Sequence, residues 1–402
     1  MFVVSLSHFH STAFHMQNFQ SHIHPLTGLR GFSALWVVLF HVSYGASNGY
    51  LPGFSEKLDW GILRNLIVQG PYAVDIFFIL SGYIMTHIHG KDFEDKISLD
   101  KVKRFLSLRL ARIYPLHVAI VALLSGAYVA GMWEQKKISL KDAVLSVTLT
   151  NVWSNPSINT PAWSVSAEWM AYMAFPFMIP LLMRLGNPIR QFMGIVILSI
   201  GYPMCVMAFD WTLAWHFGWV ALFRVLNGFM LGCLLYYFQE HCLFVKTSSR
   251  AGRWCASFLI CLVYFIIVGA PILFIYALIP WSIVTLAHVK QGIGTVFSNK
   301  AAVLLGTISF SIYMVHFPVL EVFRFGLNEY YASLIPAMHQ TILWIHLCFM
   351  LFSVIAVSCL WYWGVEKPCR EYVKQRWNQG DRVTSEFLEG RTSRVMTCGR
   401  NV

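Results

Sequence analysis

A histidine and two carboxylates lie inside apolar segments of this sequence, where an ionisable side chain costs about 3 kcal/mol or more. They are His41, Asp75 and Glu168. A carboxylate beside a histidine can fix the tautomer of the ring and stabilise the imidazolium, so that the histidine can act as a general base towards a hydroxyl group. The pattern therefore makes His41, Glu168 and Asp75 candidate catalytic residues. The alternative is a buried histidine–aspartate pair that only holds two helices together.

Two arginines could bind an anionic ligand near one end of the predicted helices, and a third, Arg30, faces the same side. Arg30 lies eleven residues before His41, which on a helix is about 16 Å along the axis and nearly the same face. Arg109 and Arg112 are three residues apart at the start of an apolar segment, so their guanidinium groups face one opening. They could hold phosphate oxygens bidentately, as in a nucleotide-like cofactor. Alternatively, they anchor lipid headgroups and set the topology, as arginines at helix ends commonly do.

Other residues in the apolar segments have two possible roles each. Ser81, followed by Gly82, could let a ligand approach the helix backbone, although small residues also suit close helix packing. His316 is either a substrate contact or a core histidine with satisfied hydrogen bonds. Arg224 is expected to pair with a carboxylate or a carbonyl group.

The composition indicates that lipid is the main solvent of these segments. Of the 402 residues 57% are hydrophobic and only 12% are charged, whereas soluble domains carry about a quarter charged residues. The formal net charge is +11, but the basic residues fall in loops and in the tail, which is typical of topology signals rather than of nucleic-acid binding. The nine cysteines have no paired spacing, so we expect no disulfide framework and no metal site.

The apolar segments predict an all-α, polytopic membrane helix bundle of about ten transmembrane helices, since each crossing needs about 20 residues. The predicted spans are residues 28–46, 70–89, 112–133, 161–183, 190–209, 215–238, 252–269, 271–289, 301–320 and 342–365. The seventh and eighth are separated only by Val268–Pro271, so they could instead form one broken helix.

The basic loops predict that both termini are cytoplasmic, by the positive-inside rule. Residues 1–25 have no secretory signal features and are predicted to be a mobile cytoplasmic leader, with Met16 as an alternative start. Residues 26–372 form the predicted membrane domain. Residues 373–402 are predicted to be a disordered cytoplasmic tail.

Six sequence blocks, taken in order, resemble the membrane-bound acyltransferase family 3, which O-acylates bacterial surface carbohydrates. Any one block is weak in an apolar sequence, but six in family order are specific. They are LTGLRGFSALWVVLFH (26–41), VDIFFILSGYIMT (74–86), RLARIYPLH (109–117), PAWSVSAEWMAYMAFP (161–176), LGTISFSIYMVHFPV (305–319) and VEKPCREY (365–372). One departure is that Ala167 and Trp169 flank Glu168 where many members have a doubled acid.

The resemblance implies transfer of an acyl group, usually acetyl, from cytoplasmic acyl-CoA to a hydroxyl of a carbohydrate or glycolipid, in the bacterial inner membrane. It implies that His41 is the catalytic base, with Asp75 and Glu168 orienting the site. Arg30, Arg109 and Arg112 are then contacts of acetyl-CoA or another acyl-CoA. Ser81, Trp163 and His316 are the predicted substrate contacts.

Two other classes of function use intramembrane charges. A proton-coupled transporter or exporter of a small organic anion or lipid-linked sugar would use arginine, histidine and glutamate inside the membrane. No inverted repeat is apparent in the sequence, and the ordered blocks would be coincidental in such a carrier. A non-catalytic membrane scaffold or sensor would have no use for the ordered charged sites.

Overall fold

The computed structural model describes residues 23–47, 58–132, 138–153, 157–211, 217–334 and 339–379. The predicted leader up to residue 22 and the predicted tail from residue 380 lie outside the described residues. The last described helix reaches Gln379, so the part of the predicted tail before residue 380 is helical rather than disordered.

Fourteen α-helices make up most of the described residues, among which there is no strand. They are α1 (His24–Ser47), α2 (Leu63–Val68), α3 (Pro71–Phe93), α4 (Leu99–Val129), α5 (Leu140–Val147), α6 (Ala162–Met183), α7 (Pro188–Ala208), α8 (Gly218–Phe238), α9 (Ser248–Ile267), α10 (Ile272–Ala287), α11 (Ile293–Ser298), α12 (Lys300–Thr307), α13 (Ser309–Leu334) and α14 (Gln340–Trp361). A π-helical turn, Tyr362–Glu366, follows α14. The fold is the predicted all-α bundle.

The number of spanning helices is lower than the predicted ten. Among the described residues, eight helices are long and apolar enough to cross a membrane, or nine if a bent pair counts as one span. The bent pair is α12 with the first part of α13, which meet at 68°. The remaining predicted span corresponds to α10, whose 16 residues fall short of the usual length. The protein is an integral membrane protein, with eight or nine such helices in the described part of its chain.

The link between α9 and α10 is a tight turn between two separate helices. Gly269 adopts a positive φ of 69°, which glycine tolerates because it has no Cβ. Pro271 precedes α10 directly, and α9 and α10 pack against each other. The alternative of one broken helix is therefore wrong.

Glycines bring the central helices into close contact. A Cβ on Gly82 of α3 would overlap the carbonyl oxygen of Phe229 on α8, and a Cβ on Gly232 of α8 would overlap that of Ile79 on α3. Small residues at such crossings let helix backbones approach each other in a membrane. The apolar stretch of α3 is 67% buried and that of α9 only 22%, so α3 lies at the centre of the bundle and α9 at its edge.

The segment between α5 and α6 contains a 3₁₀ turn, Asn151–Trp153, and enters the bundle. Asn151 and Asn159 are fully buried there. The Asn159 amide donates a hydrogen bond of 3.0 Å to the carbonyl oxygen of Met314 on α13. Pro318, four residues later, has no N–H for that oxygen, so Asn159 satisfies an acceptor that the proline leaves free. This contact positions α13 beside α6.

Candidate active site

A carboxylate held by two hydroxyl groups lies in a cavity at the centre of the bundle. Ser81 on α3 donates to Oε1 of Glu168 on α6 at 2.6 Å, and the Tyr172 hydroxyl donates to the same oxygen at 2.6 Å. Glu168 and Tyr172 are four residues apart on α6 and so share one face. All three line this inner cavity, which has an empty volume of about 690 Å³. The two hydroxyl groups fix the orientation of the carboxylate.

A second cavity is strongly basic. It has an empty volume of about 1340 Å³. Its basic lining residues are Arg30, Arg104, Arg109, Arg112, Arg370 and Lys374. One acidic residue, Glu371, also borders it. Because so many cationic side chains face it, this basic cavity suits a large anionic ligand.

The inner cavity and the basic cavity meet at shared walls. Arg30 of α1, Met85 of α3 and Arg112 of α4 line both cavities. A ligand with an anionic end and a neutral arm could therefore occupy both at once. The predicted pairing of Arg109 and Arg112 at one opening agrees with this arrangement, since both line the basic cavity.

Arg109 has unused hydrogen-bonding capacity. One terminal nitrogen of its guanidinium lies 3.2 Å from the sulfur of Met85, a weak acceptor. Its Nε is buried and has no hydrogen-bond partner among the described residues. A buried donor without an acceptor is costly, so Arg109 is suited to a phosphate or carbonyl oxygen that enters with a ligand.

Two histidines lie together beside the inner cavity. The rings of His41 on α1 and His316 on α13 are 4.9 Å apart between centroids. Nδ1 of His41 lies 2.9 Å from the Val37 carbonyl oxygen, and Nδ1 of His316 lies 3.2 Å from that of Ile312. A carbonyl oxygen only accepts, so Nδ1 carries the proton in each ring. Each neutral ring then has its lone pair on Nε2.

His316 connects His41 to the inner cavity. It is fully buried, and its Nε2 has no hydrogen-bond partner among the described residues. Its ring lies 5.9 Å from that of Tyr313. The Tyr313 hydroxyl accepts a hydrogen bond of 2.8 Å from Ser164, and both line the inner cavity. His316 is thus a core histidine whose hydrogen bonds are not all satisfied.

Asp75 has a different partner from the one that the sequence analysis expected. Both of its oxygens accept from Arg224 on α8, at 2.8 Å from Nε and 2.7 Å from a terminal nitrogen. Asp75 and Arg224 are buried, and the Arg224 guanidinium also lies 5.8 Å from the ring centroid of Trp163. The structure therefore joins Asp75 to Arg224, and Glu168 to Ser81 and Tyr172. Neither of these two pairings includes His41, so they do not form the predicted cluster of His41 with Asp75 and Glu168.

The sequence analysis missed several residues of the site. Tyr172 could have been found, because it lies one turn after Glu168. Arg370 lies in the final sequence block. Glu366 in the same block is fully buried, accepts a 2.7 Å hydrogen bond from Ser311, and has its other oxygen unpartnered among the described residues. The π-helical turn that contains Glu366 is a feature frequent at functional sites, but no sequence pattern used above predicts it.

A family model described as an acyltransferase domain matches residues 23–363, most of the 402 residues. The chain belongs to this acyltransferase family. The membership confirms the resemblance of the six sequence blocks, and it identifies the protein as an enzyme rather than a carrier or a scaffold. The inner cavity and the two histidines lie within the matched residues, whereas the basic cavity is lined partly by residues beyond them, such as Arg370 and Lys374.

Named relatives of this acyltransferase agree with the family. The acyltransferase MdmB of Streptomyces mycarofaciens is 28% identical over 74% of this chain and 78% of its own length. A putative O-acetyltransferase of Staphylococcus aureus strain COL is 22% identical over 75% of this chain and 51% of its own length. The peptidoglycan O-acetyltransferase OatA of Listeria monocytogenes is 23% identical over 75% of this chain and 50% of its own length.

This acyltransferase spans about half the length of the staphylococcal and listerial relatives that it matches. No solved structure matches it significantly. The family model therefore establishes that this chain is a membrane acyltransferase.

Proposed function

We propose that this acyltransferase moves an acetyl group from cytoplasmic acetyl-CoA to a hydroxyl of a cell-surface carbohydrate, in a bacterial inner membrane with both termini in the cytoplasm. The observation that carries the proposal is the junction of the two cavities. A basic cavity that suits a large anion opens, past Arg30 and Arg112, into an inner cavity that holds Glu168.

The donor fits the basic cavity by charge. The phosphates of CoA would lie among its arginines, which bind phosphate oxygens bidentately. The unpartnered Nε of Arg109 offers a further donor. By the positive-inside rule this cavity opens to the cytoplasm, where acyl-CoA is present. The acyl-bearing arm would pass Arg30, Met85 and Arg112 to reach the inner cavity.

The acceptor is a carbohydrate hydroxyl. One relative is named as a peptidoglycan O-acetyltransferase, which supports a glycan acceptor for this chain. His41 and His316 lie on the far side of the inner cavity from the basic cavity, since His41 is eleven residues beyond Arg30 on α1. An acceptor that approaches from the outer side would meet the histidines first.

The transfer needs one base and one stabilised thioester carbonyl. Nε2 of His41 accepts the proton of the acceptor hydroxyl while the oxygen attacks the carbonyl carbon. The new C–O bond forms, the C–S bond breaks, and the CoA thiolate leaves and takes up the proton that His41 accepted, which returns His41 to its neutral form. Arg30 and Arg112, at the junction of the cavities, hold the acyl-bearing arm that extends towards His41. Glu168 and the residues that hold it orient the reacting groups.

The test is incorporation of radiolabelled acetyl from acetyl-CoA into surface carbohydrate by membranes that carry the wild type or a variant. His41→Ala should lower incorporation about a hundredfold or more, because it removes a general base. The matched control is His346→Ala, since Nδ1 of His346 also lies near a backbone carbonyl oxygen, that of Ile342 at 3.0 Å, but on an exposed face of α14. It should keep wild-type activity.

Two outcomes would contradict the proposal. Wild-type activity in His41→Ala, at equal protein level, would remove His41 as the base. Wild-type membranes that consume acetyl-CoA without labelling any carbohydrate would show that the acceptor belongs to another chemical class.

A further inference from the structure

The final helix of the described chain forms one wall of the basic cavity. After the π-helical turn the helix continues to Gln379. Five of its residues line the basic cavity: Arg370, Glu371, Lys374, Trp377 and Asn378. Spacings of one, three, three and one residues place them along one helix face. This face combines two cations and one carboxylate with an aromatic ring and an amide.

Trp377 is fixed in this wall. Its indole N–H donates a hydrogen bond of 2.7 Å to the hydroxyl of Ser107 on α4. A lipid-facing tryptophan needs no such partner, since its ring only has to lie at the headgroup level. On the same helix, Arg376 contacts the Tyr372 ring and hydroxyl instead. The tether to Ser107 keeps the Trp377 ring at the cavity and α4 beside the final helix.

We propose that this face binds the adenine nucleotide end of the acyl-CoA donor, an inference that rests on the proposed function. The ring of Trp377 stacks on the adenine base, and the amide of Asn378 hydrogen-bonds its edge, because an amide offers both a donor and an acceptor. Arg370 and Lys374, with Arg104 across the cavity, bind the phosphates. A lipid headgroup would use the cations but would have no use for a tethered ring.

The experiment compares two donors that differ only in the nucleotide. Acetyl-CoA carries it, whereas S-acetylpantetheine carries the same thioester and arm without it. In Trp377→Leu the KM for acetyl-CoA should rise about tenfold, as expected for the loss of one base-stacking contact. The KM for S-acetylpantetheine should stay at the wild-type value. Lys374→Gln should likewise raise the KM for acetyl-CoA and leave the KM for S-acetylpantetheine unchanged. Lys374 is exposed, so this substitution should not disturb the fold.

The controls are a tryptophan and a cation of the same continuous helix that do not line the basic cavity. Trp363 is 50% exposed, and Arg376 is held by Tyr372. Trp363→Leu and Arg376→Gln should leave both KM values at the wild-type level. An equal rise of both KM values in Trp377→Leu and Lys374→Gln would overturn the inference, because it would show a structural or lipid-binding role.

A binding measurement separates this inference from the proposed function. Adenosine 3′,5′-bisphosphate should bind the purified wild-type protein in a calorimeter, and its affinity should fall about tenfold in Trp377→Leu. Absence of binding to the wild type would overturn the nucleotide site. If the bisphosphate binds but membranes transfer no acetyl group from acetyl-CoA, the proposed reaction fails while the nucleotide site stands.

Discussion

Asp75 and Arg224 form a bidentate ion pair that is almost completely removed from solvent, with exposed fractions of 0% and 1%. The pair joins α3 to α8, the same two helices that Gly82 and Gly232 bring together. Arg224 also donates to the Pro71 carbonyl oxygen at 2.8 Å. A buried pair with this geometry is costly to break from one side.

Removing one partner of this pair should destabilise the protein. Asp75→Ala leaves the Arg224 charge buried, and we expect a loss of about 3–5 kcal/mol in the free energy of unfolding. The double variant Asp75→Leu with Arg224→Met should recover much of that loss, because no unpaired charge remains. The measurement is the thermal unfolding of the detergent-purified protein. Asp75→Ala with a wild-type Tm and no activity would instead support the catalytic role that the sequence analysis proposed.

Replacing His316 by an apolar residue should separate stability from activity. The buried Nε2 of His316 has no partner among the described residues, so His316→Leu removes an unsatisfied group and should keep or raise the Tm. Acetyl transfer should nevertheless fall at least about tenfold, since the loss of a single hydrogen bond to a substrate costs about that much. A fall in Tm with unchanged turnover would assign His316 to the core alone.

Replacing the two arginines of α4 should weaken use of the acetyl-CoA donor before it affects use of the acceptor. Arg109→Gln with Arg112→Gln should raise the KM for acetyl-CoA about a hundredfold, since each charge-assisted hydrogen bond contributes about 1.5–3 kcal/mol. Arg184→Gln with Arg190→Gln is the control, because both arginines are exposed at helix ends. Equal KM values in both double variants would mean that the α4 arginines only set the topology.

The α3–α8 crossing should tolerate no side chain at Gly232. Gly232→Ala places a methyl group against the Ile79 carbonyl oxygen, so the helices must separate and the Tm should fall. Gly201→Ala on α7 is the matched control, because a Cβ there meets nothing within 4 Å. It should be neutral or stabilise by up to about 1 kcal/mol through helix propensity. Equal Tm values for the two variants would show that this crossing is loosely packed.

The sequence by itself determined the environment, the fold class and the family. Lipid offers the backbone no hydrogen bonds, so long apolar segments must be helices, and all ten predicted spans correspond to helical segments. The count of ten failed at two places: α10 is too short, and α12 with α13 bends by 68°. Hydropathy measures how apolar a segment is, but it carries little information about a bend within it.

The sequence also determined which residues could do chemistry, because an ionisable group in a membrane segment is costly. Arg30, Arg112 and Glu168 do line one cavity, together with Ser81. Their proximity on separate helices follows from no local pattern. It depends on how α1, α3, α4 and α6 pack.

Only the tertiary structure decided the partner of each charge. Asp75 pairs with a residue 149 positions later, and His41 lies against His316 on another helix. Helical periodicity specifies the face on which a residue lies, but the neighbour on that face is set by helix packing. That packing depends on small residues such as Gly82 and on the shapes of facing side chains, which interact only once the bundle has assembled.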